Sequence, residues 1–116
     1  MPKIAIVRVR GRTKIKKEIE DTLKMLRIYR PNYCSIFEAT PSIIGMVKKA
    51  KDYITWGEID SETIALLEKK KGKRRFYRLS PPRGGWERKG IKIPFKLGGA
   101  LGDRKKEINK LIRRML

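Results

Sequence analysis

Ile4-Ala5-Ile6-Val7-Arg8-Val9-Arg10 is a short run rich in β-branched residues, and it predicts a strand. Gly11-Arg12-Thr13 reads as a turn. From Lys14 the apolar spacing changes: Ile15, Ile19, Leu23 and Leu26 recur at helical intervals, with Thr13 available as N-cap. Pro31 and Asn32 interrupt, and 33–38 predicts a second strand. Thr40-Pro41 opens a helix well, because threonine caps and proline at the first helical position gives up only an amide that would be unpaired. Ile43, Val47 and Ala50 form its apolar stripe, flanked by Ile44 and Met46. Residues 53–59 predict a third strand, so the first 60 residues read β-α-β-α-β.

Beyond that point the pattern is less regular. Asp60 or Ser61 caps a short helix reaching about Glu68, with Ile64 and Leu67 inward. Lys69-Lys70-Lys71-Gly72-Lys73-Arg74-Arg75 breaks the apolar rhythm, and such a like-charged block is expected to stay disordered until an anion orders it. Residues 76–79 suggest a short strand. Residues 80–102 hold three prolines and six glycines, which predicts an extended, irregular loop. Asp103 caps a last helix whose apolar face is Ile108, Leu111, Ile112 and Met115. The expected organisation is an α/β core over 1–60 and a basic extension over 61–116.

Charge turns this outline into a functional expectation. The formal net charge is +19, with 31 basic against 12 acidic residues. Up to Leu67 the net is +5; from Glu68 to the end it is +14. Residues 69–96 carry twelve bases and one acid, Glu87, with Phe76, Tyr77, Trp86 and Phe95 among them. Bases neutralise phosphate and aromatic planes stack on nucleobases, so the mixture points to nucleic acid, RNA in particular. Anionic lipid attracts basic segments too. However, Pro81-Pro82, Gly84-Gly85, Gly90 and Pro94 prevent most of the stretch from forming one amphipathic helix.

The candidate RNA-binding residues fall in two groups. Arg10, Arg12, Lys14 and Lys16 cluster where the first strand hands over to the first helix, so rigid elements can hold them against one backbone. Lys73, Arg74, Arg75, Tyr77 and Arg78 begin the basic arm. Arg83, Trp86, Arg88, Lys89, Lys92 and Lys96 continue it. Trp86 has no apolar sequence neighbours, which favours contact with RNA or a partner, whereas Trp56 reads as core or core edge. Gly98-Gly99-Ala100-Leu101-Gly102 reads as a tight turn that lets the last helix fold back. The alternative is an RNA phosphate on its backbone amides.

Catalytic chemistry finds little support. The chain has no histidine and one cysteine, Cys34, which argues against a metal site and allows no internal disulfide. Cys34 reads as a small strand residue, since no imidazole is present to activate it. Glu18, Glu20 and Asp21 lie on the first helix among Lys16, Lys17 and Lys24, a turn apart, and read as surface ion pairs. Glu58 and Asp60 are a very weak magnesium signal. No enzyme activity and no cofactor are expected. No apolar run approaches the roughly 20 residues of a membrane span, and the N-terminus lacks a signal-peptide layout. The expected setting is cytoplasmic.

Several strings are more specific. Val7-Arg8-Val9-Arg10-Gly11, Leu23-Lys24-Met25-Leu26, Thr40-Pro41-Ser42-Ile43-Ile44-Gly45-Met46-Val47 and Tyr53-Ile54-Thr55-Trp56-Gly57-Glu58 occur in order. Arg78-Leu79-Ser80-Pro81-Pro82-Arg83-Gly84-Gly85 and Phe95-Lys96-Leu97-Gly98-Gly99-Ala100-Leu101-Gly102 follow. Together they resemble the ribosomal protein L thirty family of the large subunit (L seven in eukaryotes), in its archaeal form. The resemblance covers nearly the whole chain. It implies a non-catalytic role in ribosomes, binding and stabilising large-subunit rRNA in the region near 5S rRNA, beside other large-subunit proteins. It also implies an α/β (α+β) fold: a three-stranded, mainly antiparallel sheet of order 3-1-2 with helices on one face. Pattern alone would favour a parallel β-α-β crossover. Archaeal members usually carry a longer, partly acidic insertion where 68–75 forms a short basic bridge here. The alternative function is a free-standing nucleic-acid chaperone or nucleoid protein, with a nuclease as a third reading.

Overall fold

The computed structural model describes residues 3–9, 16–51, 53–72, 76–80, 82, 99 and 101–115. Three strands form the centre: β1 (Lys3–Arg8), β2 (Tyr33–Glu38) and β3 (Ile54–Glu58). Both outer strands run antiparallel to β1, with Ile6 opposite Ser35 on one side and Trp56 on the other. The antiparallel centre with β1 in the middle is the arrangement that the family resemblance implied. Two short strands extend it. β4 (Phe76–Arg78) pairs antiparallel with β2, and β5 (Gly102–Asp103) pairs parallel with β3, giving the order β4-β2-β1-β3-β5.

Strand alternation divides β1 between two cores. Ile4 and Ile6 face α1 (Lys17–Met25) and α2 (Pro41–Lys49), packing with Leu23, Leu26, Val47 and Ala50. Ala5 and Val7 face the opposite side, with Leu67 of α3 (Ser61–Lys71) and Ile108, Leu111, Ile112 and Met115 of α4 (Ile108–Met115). Helices therefore cover both faces of the sheet, not one. The second layer is supplied by α3 and α4, whose apolar side chains need a sheet face to leave water.

The caps explain several boundaries. The Thr40 hydroxyl accepts the Ile43 amide at 3.3 Å, with Pro41 at the helix start. The Asp60 carboxylate accepts the Thr63 amide at 2.7 Å. The nearby Thr63 hydroxyl, and then this amide, hold the Asp60 carboxyl below its ordinary value. α1 begins later than the apolar spacing suggests: Lys16 is still extended and occupies the N-cap position without a side-chain cap. Thr13 lies outside the described residues. α3 runs on past Glu68 through Lys69, Lys70 and Lys71, so this part of the basic block is helical. Lysine is a good helix former, three positive charges suit a helix C-terminus, and Gly72 at φ 79° ends the run. The last helix opens with a 3-10 turn (Lys105–Glu107), and the Asp103 carboxylate accepts the Lys105 amide at 2.8 Å.

Docking of the C-terminal segment is specific. The Thr55 hydroxyl donates to the Gly102 carbonyl at 2.8 Å and accepts from buried Arg104 Nε at 2.8 Å. The Asn109 side chain accepts the Asp60 amide and donates to the Glu58 and Lys106 carbonyls at 3.2 and 2.9 Å. Gly57 permits the approach. A Cβ there would lie 2.9 Å from Ile108 Cβ and would collide with the Lys105 carbonyl.

Candidate nucleic-acid interface

Of the residues expected to bind RNA, Lys16, Tyr77 and Arg78 are described. Arg10, Arg12, Lys14, Lys73, Arg74, Arg75, Arg83, Trp86, Arg88, Lys89, Lys92 and Lys96 lie outside the described residues. Lys16 is exposed just before α1, and Arg78 is exposed on β4 opposite Tyr33. Tyr77 is different. It is 4% exposed and packs in the core with Val7, Cys34 and Leu79, so as folded its ring cannot receive a base.

The reason is the two-residue period of a strand. On β4, Tyr77 pairs with Cys34, which faces the α3–α4 core. Its neighbours Phe76 and Arg78 point the other way, alongside Ser35 and Tyr33. There Phe76 enters a ring cluster. Its centroid lies 5.5 Å from that of Tyr33 in a stacked pair with an interplanar angle of 12°. It also lies 5.5 Å from Tyr29 in an edge-to-face pair at 80°. Tyr29 stands in the loop after α1 and is 38% exposed.

Arginines occupy the same loop and the same sheet face. The Arg27 guanidinium lies 5.4 Å from the Phe37 ring centroid, Phe37 being on the same face of β2. Arg30 and Arg78 are exposed. The loop geometry is set by the end of α1: the Arg27 and Ile28 amides donate back to the Lys24 and Leu23 carbonyls at 3.0 and 3.1 Å. This termination places Arg27 at φ 63°, a left-handed conformation that normally favours glycine. The Ser35 hydroxyl and the Arg8 Nη1 group brace the loop from below, donating to the Leu26 and Ile28 carbonyls at 2.7 and 3.1 Å. Tyr29, Tyr33, Arg27 and Arg30 had no place in the sequence expectation. Their signal was present as aromatic and basic residues interleaved over 27–33, but the densest charge lay elsewhere.

Cations also line other exposed turns: Lys69, Lys70 and Lys71 end α3, and Lys105, Lys106 and Lys110 flank the start of α4. Two exposed ion pairs, Lys110–Glu107 at 3.4 Å and Arg113–Glu62 at 3.8 Å, offset little of this charge. An open groove of about 750 Å³ lies beside half-buried Trp56, between Ile44 of α2 and the 3-10 turn. Trp56 belongs to the edge of the core, as its position in the sequence suggested. Burial pushes the Cys34 thiol up to about 12, so it stays protonated at neutral pH. Among the described residues no three acids, cysteines or histidines gather as metal ligands, and no helix is long and apolar enough to cross a membrane.

Fold and surface together define a class: a small, strongly basic α/β protein with most of its described cations exposed and an aromatic cluster at one end of its sheet. The family follows from the sequence comparisons. The model of the family described as Ribosomal protein L30p/L7e matches residues 4–54. Large ribosomal subunit protein uL30 of Nanoarchaeum equitans is 44% identical over 97% of this chain and 97% of its own. The protein of that name from Methanopyrus kandleri is 38% identical, over 93% of this chain and 100% of its own. That of Methanococcus maripaludis is 36% identical, over 97% and 98%. The chain belongs to this family of ribosomal proteins, which are not enzymes.

Proposed function

We propose that the chain is a structural component of the large ribosomal subunit that binds and stabilises large-subunit rRNA, in the region near 5S rRNA and beside other large-subunit proteins. The observation that carries this is the distribution of charge: +14 of the +19 lies from Glu68 onward, on a chain whose relatives are named as large-subunit proteins. In this reading the α/β body sets Arg10, Arg12, Lys14 and Lys16 at one RNA surface, and the arm over 69–96 follows RNA backbones. Most contacts go to phosphate and sugar, so they position more than they read sequence.

The test is joint replacement of Arg74, Arg75 and Arg78 by glutamine. Affinity for large-subunit rRNA should fall, and the slope of log K against log salt should shrink by about 2 to 3. Unchanged affinity and slope would overturn the assignment. A free-standing chaperone would bind through the same charges, and sedimentation separates the two: salt-washed large subunits should retain this chain, whereas a chaperone spreads into lighter fractions.

A further inference from the structure

We propose that the β2–β4 end of the sheet is a base-stacking site, where the Tyr29 ring receives an unpaired base of single-stranded RNA and Arg30 and Arg78 hold the adjacent phosphates. The inference rests on the rRNA-binding reading and adds a ligand class and a location to it.

Three features of the cluster converge on this ligand. The first is preorganisation. Tyr29 is held edge-to-face by Phe76, which is stacked on Tyr33, which is carried by β2. A ring fixed in this way loses little freedom when a flat partner lands on it. The second is charge. Arg30 follows Tyr29 in the loop, Arg78 pairs opposite Tyr33, and the loop over 26–32 contains no acid. The acid of β2, Glu38, alternates to the opposite face of the sheet. An aromatic plane in a positive surround suits a nucleotide, whose base is flat and whose phosphates are negative. The third is the backbone of Arg27. Glycine would take φ 63° without strain, yet arginine stands there and lays its guanidinium over Phe37. That contact fixes a cation on the face of β2 that also carries Tyr33.

Single-stranded rather than duplex RNA follows from geometry. Bases within a helix are already stacked on one another, and only a splayed base can offer its face to Tyr29. The site joins the start of the arm, Phe76 and Arg78, to Tyr29 and Tyr33 of the body, so Tyr29 is the position that tests it without touching the arm.

The experiment compares full-length wild type with Tyr29→Ala and Tyr29→Phe. The probes are an oligoadenylate of about ten nucleotides carrying one 2-aminopurine, an RNA duplex of matched charge, and large-subunit rRNA. Wild type should quench the 2-aminopurine. Tyr29→Ala should abolish quenching and weaken single-strand binding about tenfold, leaving duplex affinity and the salt slope on rRNA unchanged, and Tyr29→Phe should restore both. Equal quenching by Tyr29→Ala overturns the proposal. So does an equal loss on duplex and single strand, which would assign the ring to folding alone. Loss of a neighbouring ribosomal protein from subunits, with oligonucleotide binding intact, would mean that the patch holds protein. A wild type that binds no rRNA removes the broader function; wild-type rRNA binding with a silent Tyr29→Ala removes the stacking site only.

Discussion

The two faces of the sheet are built from the same three central strands but finished differently. On one face, α3 and α4 close over Ala5, Val7 and Cys34, and Leu111, Ile112 and Met115 are wholly buried. Directed polar contacts through Thr55, Arg104 and Asn109 lock that layer in place. On the other face α1 and α2 bury Ile4, Ile6 and Ile54, yet the β2–β4 end keeps Tyr29, Tyr33 and Phe76 partly open, with Arg30 and Arg78 exposed beside them in the chain or the sheet. A face sealed by fixed polar contacts can do little but hold the fold. A face left half-wet with rings and cations can meet a ligand. Mutations should therefore divide, costing stability on the sealed face and affinity on the open one.

The largest expected effect on that contrast is Leu111→Ala. It leaves a cavity under α4 and should cost about 3 to 4 kcal/mol in urea unfolding. A cost below about 1 kcal/mol would mean that α4 does not seal the sheet in solution. Gly57→Ala comes next, at about 2 to 3 kcal/mol, because the new methyl group meets the Lys105 carbonyl and Ile108. Asp60→Ala removes the α3 cap and should cost about 1 kcal/mol. The folded Asp60 carboxyl titrates below its unfolded value, so its contribution is present above the ordinary carboxylate range and is lost as pH falls through the folded pKa. The stability gap between wild type and Asp60→Ala should narrow accordingly in acid melts. Tyr29→Ala is the smallest, about 0.5 kcal/mol, since the ring is 38% exposed. A loss of several kcal/mol there would make the open face structural and erase the contrast.

Much of this layout was legible in the chain. The β-branched run over 4–10 announced β1, and Thr40-Pro41 announced the start of α2, because each signal is local and its physics acts within one turn or one strand. The burial of Tyr77 was not legible. Phe76 and Tyr77 are adjacent aromatics in a basic stretch, and composition treats them alike. Only the pairing of Tyr77 with Cys34 shows which ring turns inward. The Tyr29 cluster was hidden for a related reason: it joins a loop after α1 to a strand more than 40 residues later, and no spacing rule spans such a distance. The short β5 was equally invisible, since Gly102–Asp103 is a strand only because β3 offers it an edge.

By itself, the order of residues determined that this protein is basic, that it has alternating strands and helices in its first half, and which family it belongs to. Those properties follow from charge count, local periodicity and shared strings, none of which requires distant contacts. Tertiary structure decided that α4 seals the second face of the sheet, that Tyr77 serves the core, and that Tyr29, Tyr33 and Phe76 meet. Each of these depends on register and docking between segments far apart in the chain, where a one-residue shift would exchange inside for outside.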